Sequence, residues 1–85
     1  MKDIIIDVRE ADEFARSHVE GAINVPHGSI NETSPELAGI PKDTPLVVYC
    51  QSGGRAAVAT NNLGNLGYTT VTNGIDQANV ESKHM

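Results

Sequence analysis

"LVVYCQSGGRAA", Leu46 to Ala57, runs from a strand-forming segment through the only cysteine of the chain into a glycine pair closed by an arginine. Val47, Val48 and Tyr49 favour a pleated, buried strand. Pro45 stands at its opening, where a missing N–H is tolerated. Gly53 and Gly54 can adopt positive φ, so the chain can turn sharply after Cys50. From Arg55 to Leu66, Ala59, Leu63 and Leu66 fall on one helical face, and Gly67 lies where a left-handed cap ends such a helix. Strand, tight loop and helix together are the repeating unit of an α/β protein, with this strand at the centre of the sheet.

The flanking sequence extends the same alternation. Asp3 to Val8, "DIIIDV", is β-branched without polar alternation, as in a strand buried on both faces. A short amphipathic helix is expected from about Glu10 to Ser17, with Ala11, Phe14 and Ala15 as a thin apolar face. Gly21 ends that region, "AINVP" gives a second brief strand stopped by Pro26, and Ser34 to Leu37 reads as a helical turn with proline at its start. "YTTVTN", Tyr68 to Asn73, is expected as the last strand and "IDQANVESK" as a final short helix. The expected fold is therefore α/β: a mainly parallel sheet of about four to five strands with helices on both faces. It forms one domain over residues 1–85.

Composition narrows what such a domain can do. Six Lys and Arg face eleven Asp and Glu, a net charge of −5, and no basic cluster is present to displace counterions from a phosphate backbone. Nucleic acid is excluded as an expected partner. No segment approaches the roughly 20 apolar residues that span a bilayer, and "MKDIIIDV" is too short and too charged for a secretory signal. The expected compartment is the cytoplasm, or the periplasm if a leader has been removed; the terminal "KHM" has the character of cloning residue. The single cysteine excludes an internal disulfide, and three scattered histidines offer no zinc ligand set at recognised spacing, so no metal or other cofactor is expected. The chain is expected to act as a monomer.

Between Thr44 and Ile75 the only charged side chain is Arg55. In α/β folds, ligands sit beyond the carboxyl ends of strands, which is where Cys50 stands. A loop from Gln51 to Gly54 leading into a helix converges backbone N–H groups on one point, an anion site. Facing it, the Cys50 thiolate is stabilised and its pKa falls below the ordinary value of about 8.5, making it a nucleophile at neutral pH. The bland alternative is a small buried hydrophobe at a strand end.

These residues resemble the single-domain rhodaneses, a family of sulfurtransferases. "IIIDVREADEFARSHVEGAINVP" is similar to that family's opening, and "VVYCQSGGRAAVATNNLGNLGYTTVTNG" to its second half, where a six-residue loop begins with Cys and carries Gly and Arg; the two blocks span Ile4 to Gly74. The length and short tail look most like the small phage-shock-type bacterial members. Asn73, Gly74, Ile75 and Asp76 stand where the family often has a glycine pair and a tryptophan, and Ser17 replaces a frequent glycine before His18.

The resemblance implies a rhodanese-like fold and a persulfide mechanism. Cys50 takes the outer sulfur of a donor such as thiosulfate and passes it to cyanide or a thiol, a protein thiol included. Backbone N–H groups of Gln51, Ser52, Gly53, Gly54 and Arg55 then hold the terminal sulfur. Arg55 either binds the anionic donor or braces the loop through an acidic partner. Asp7 and Arg9 are expected to form a structural ion pair, His18 to hydrogen-bond backbone near the following turn, and His27 to be a solvated loop residue. Two rival functions are a noncatalytic rhodanese-like binding module and a Cys-based phosphatase or arsenate reductase. The latter places five residues between Cys and Arg, where four lie here.

Overall fold

In the computed structural model, which describes residues 3–84, four strands form one sheet: β1 (Ile4–Asp7), β2 (Ile23–Asn24), β3 (Leu46–Tyr49) and β4 (Val71–Ile75). Their order is β2-β1-β3-β4 and every pairing is parallel. The helices are α1 (Ala11–Arg16), α2 (Gly54–Asn65) and α3 (Gln77–Lys83), with single 3-10 turns at His27–Ser29 and Pro35–Leu37. The expected parallel α/β sheet is present, with four strands and with β3 inside it.

Alternation along β1 and β3 divides the core. Ile6, Val8, Leu46, Val48 and Cys50 pack on one face with Ala56, Ala59 and Leu63 of α2, and with Val25, Ile30, Leu37 and Tyr68. Val47 and Tyr49 point the other way and meet Val19 and Val80, the latter from α3. β3 is buried along its whole length, as a parallel strand covered on both faces must be.

α1 lies within the expected Glu10 to Ser17 span, but its apolar face is thinner than expected. Of that face, Ala11 and Ala15 are exposed and Phe14 is half-buried. Hydrogen bonding holds this helix in place of packing: the Glu13 carboxylate accepts the Glu10 N–H at 3.0 Å, closing the first turn.

The last strand begins later than its composition suggests. Tyr68 lies outside β4; it is buried under α2 and its hydroxyl donates toward the carbonyls of Leu37 and Ile40 at 3.3 and 3.1 Å. Gly67, at φ +106°, turns the chain after α2, and Thr70 accepts the Leu46 N–H before the strand proper starts. At its other end β4 runs through Gly74 to Ile75. Asn73 is opposite Val48 and Ile75 opposite Tyr49, so Gly74 is the extra residue of a bulge. A Cβ on Gly74 would lie 2.6 Å from Val80 Cγ2 and 3.0 Å from Val47 Cγ1, so the close approach of β4 to α3 requires glycine there.

Candidate active site

Cys50 leaves the carboxyl end of β3 with 2% of its surface exposed. The chain then turns through Gln51, Ser52 and Gly53, and α2 starts at Gly54. Gly53 is the N-cap of α2 at φ +96°, a left-handed conformation that a side chain would resist. That conformation aims its N–H at the Cys50 Sγ, 3.0 Å away. The Ala56 N–H, from the first turn of α2, points at the same sulfur at 3.4 Å. These are the donors a helix start leaves without intrahelical partners.

Opposing effects act on the thiol. Burial pushes its pKa up, but amide hydrogen bonding from Ala56, Ser52, Gly53 and Arg55 outweighs it and leaves Cys50 below the ordinary thiol value. Gln51 is exposed and is not among these donors. Ala56, which the sequence reading did not single out, is among them; counting three residues into a helix that begins at Gly54 would have identified it.

Arg55 has its partner on α1. Its Nη1 and Nη2 donate to Glu13 Oε1 and Oε2 at 2.7 and 3.0 Å, a two-pronged pair across 42 residues of sequence. The Arg55 guanidinium, then the Glu10 N–H, hold the Glu13 carboxyl down at about 2. The bracing alternative for Arg55 is thus present in this geometry. Glu13 was not picked out, because the sequence shows that Arg55 needs an acid from elsewhere but not which of eleven.

Of the remaining expected residues, Asp7 and Arg9 lie on the Tyr49 side of the sheet, whereas His27 belongs to the turn that packs against α2. Asp7, fully buried, pairs with Arg9 as expected, at 2.7 Å between Oδ2 and Nη2, and Arg9 also donates to the Ser17 carbonyl. His18 reaches back, not forward: its Nδ1 is 2.7 Å from the Phe14 carbonyl, and its ring stacks on Phe14 at 3.7 Å between centroids. His27 is half-buried instead of solvated. Its N–H donates to the Val8 carbonyl, and its Nδ1 is buried without a hydrogen-bond partner among the described residues.

A buried thiol at the carboxyl end of a parallel strand, facing the amides of a six-residue loop, agrees with what the chain matches. Residues 1–75 fit the rhodanese-like domain. The chain belongs to the rhodanese-like family. Thiosulfate sulfurtransferase PspE of Escherichia coli is 37% identical to this rhodanese-like chain over 68 residues, covering 80% of it and 64% of PspE. Thiosulfate sulfurtransferase 16, chloroplastic, of Arabidopsis thaliana is 35% identical over 77 residues, covering 78% and 62%. Among solved structures, a rhodanese with anions from E. coli superposes with a TM-score of 0.80 at 32% identity, covering 91% of this chain and 89% of that one. The human single-domain sulfurtransferase TSTD1 gives 0.79 at 26% identity, covering 99% and 85%. This rhodanese-like chain spans between about half and two-thirds of the length of the first curated relatives it matches.

Proposed function

We propose that the protein is a sulfurtransferase that carries sulfane sulfur on Cys50, from thiosulfate or a related donor to cyanide or a thiol, small or protein-borne. The observation that carries this is the convergence of the Gly53 and Ala56 N–H groups on the Cys50 sulfur. Those donors stabilise a thiolate in place, so the nucleophile needs no adjacent base. Neither His18 nor His27 is asked to take a proton.

The thiolate attacks the outer sulfur of thiosulfate. A bond forms from Sγ to that sulfur, the donor's S–S bond breaks, and its electron pair leaves with sulfite. The product is a Cys50 persulfide anion. Amides of the loop from Gln51 to Arg55, with Ala56 behind them, hold its terminal sulfur by hydrogen bonds. An acceptor thiolate or cyanide then attacks that terminal sulfur, and the electron pair of the Cys50 S–S bond returns to Sγ as thiolate. Gly53 and Gly54 contribute backbone alone, which leaves the space above Sγ free of side-chain atoms from these two positions.

Two features weigh against a Cys-based phosphatase or arsenate reductase. The loop encloses four residues between Cys50 and Arg55, and both prongs of the Arg55 guanidinium are engaged by Glu13 instead of being turned to an oxyanion. The presence of the thiol itself weighs against a noncatalytic module. The deciding experiment is an intact mass after incubation with thiosulfate. One added sulfur atom is expected, removed again by cyanide; an unchanged mass overturns the proposal.

A further inference from the structure

Ile75 has φ +73°, a left-handed backbone found at no other non-glycine position among the described residues. For a β-branched residue this is a strained conformation, and such strain persists only where the surroundings over-determine it. Burial of the side chain does not account for it, since Ile75 is 45% exposed. Glycine would adopt the same φ without strain.

The contacts of Ile75 and its neighbour all lead to the cysteine loop. The Ile75 carbonyl accepts the Cys50 N–H at 3.1 Å. Its Cγ2 lies 3.5 Å from where a Cβ on Gly53 would stand, so the side chain lines the open side of that glycine. Asn73 links the two segments. Its Oδ1 accepts the Ile75 N–H at 2.9 Å, and its Nδ2 donates to the Gly53 carbonyl at 3.2 Å. Between them, Gly74 is fixed against β3 and α3, and its carbonyl accepts the Asn79 side chain at 2.7 Å. The end of β4 therefore has little freedom to move away from the loop.

We infer that Asn73 and Ile75 are positioning residues, a clamp that keeps Gly53 in the left-handed conformation aiming its N–H at the Cys50 sulfur. The Gly53 carbonyl also accepts the Ala57 N–H at 2.9 Å, so α2 holds this glycine from one side and the end of β4 from the other, and losing the β4 side would loosen the aim of its N–H. The inference rests on Cys50 being the reactive thiol of the proposed function, but it concerns how that thiol is held, not what it transfers.

The test is the rate of iodoacetamide alkylation of Cys50 against pH, with thermal melting alongside, for wild type, Ile75→Gly, Ile75→Val and Asn73→Ala. Ile75→Gly relieves strain, so it is expected to melt at the wild-type temperature or above while its alkylation midpoint moves up toward the free-thiol value of about 8.5. Ile75→Val keeps the branched side chain and is expected to keep the wild-type midpoint. Asn73→Ala is expected to move the midpoint upward too, which keeps the clamp testable if Ile75→Gly does not fold. Wild-type midpoints in the folded Ile75→Gly and Asn73→Ala variants overturn the inference, as does a shift in Ile75→Val equal to that in Ile75→Gly. A merely structural role would lower melting temperatures without moving the midpoint. Alkylation needs no sulfur donor, so failure of the clamp and failure of sulfur transfer show separately.

Discussion

Tyr49 and Cys50 are adjacent in sequence and almost fully buried, yet their ionisable groups are pushed in opposite directions. The Tyr49 hydroxyl lies on the α3 face of the sheet. Burial, its largest influence, and the neighbouring Asp7 carboxylate together push it up to about 12, against the opposing Val19 N–H that donates to it at 3.0 Å. Cys50 lies on the α2 face, and burial pushes it up as well. The difference is the number of backbone donors: one N–H reaches the hydroxyl, whereas several amides around the start of α2 meet the sulfur. Burial alone favours the neutral form of a group; converging N–H groups favour the charged one.

The largest effect expected from this contrast follows loss of the sulfur itself. Cys50→Ser is expected to keep the fold, because a hydroxyl of similar size can accept the same N–H groups, and to abolish thiosulfate:cyanide transfer, since no second thiol exists in the chain. Turnover by the serine variant at the wild-type rate would sink the assignment. Tyr49→Phe tests the other face. It leaves the Val19 N–H buried without its acceptor, at a cost of about 1–3 kcal/mol in urea denaturation. The alkylation midpoint of Cys50 and the rate of sulfur transfer should stay at wild-type values, because the two side chains lie on opposite faces of the sheet. A shifted midpoint in Tyr49→Phe would show that the faces are coupled.

What could be read from the sequence follows the distance over which each feature is decided. The Asp7–Arg9 pair is made within one strand end and was legible as such. The strand–loop–helix around Cys50 was legible for the same reason, its glycines and its helix start lying within six residues. Tyr68 carries a strand-like signal, but its place was decided by carbonyls of Leu37 and Ile40 across the fold, which no local pattern shows. The span of α1 was legible, but what holds it was not, because the Glu13 carboxylate caps its first turn and pairs with Arg55 from a helix distant in sequence. The strain at Ile75 is a tertiary fact altogether; the family resemblance showed only that the usual glycine pair is incomplete there.

The smallest expected effect concerns that longer-range pair, and pH separates it from the others. Glu13 is held at about 2 when folded, below the unfolded carboxylate value of about 4.3. A group whose folded pKa is depressed contributes stability that is fully present above the unfolded value and is lost as pH falls through the folded one. Glu13→Gln removes that contribution, so its melting temperature should lie slightly below wild type at neutral pH. The gap should stay constant down to about pH 5, narrow below about 4.3, and close near pH 2. Both partners are partly open to solvent, with 28% and 19% of their side chains exposed, so salt should shrink the gap. The functional consequence is expected to exceed the thermal one, because Arg55 is the second residue of the helix whose first turn supplies the Ala56 N–H to the sulfur. With α1 holding it by one uncharged acceptor in place of two carboxylate oxygens, sulfur transfer should fall several-fold while the fold stays nearly as stable. A Glu13→Gln variant with wild-type turnover would mean that the Arg55 brace plays no part in the chemistry of the cysteine loop.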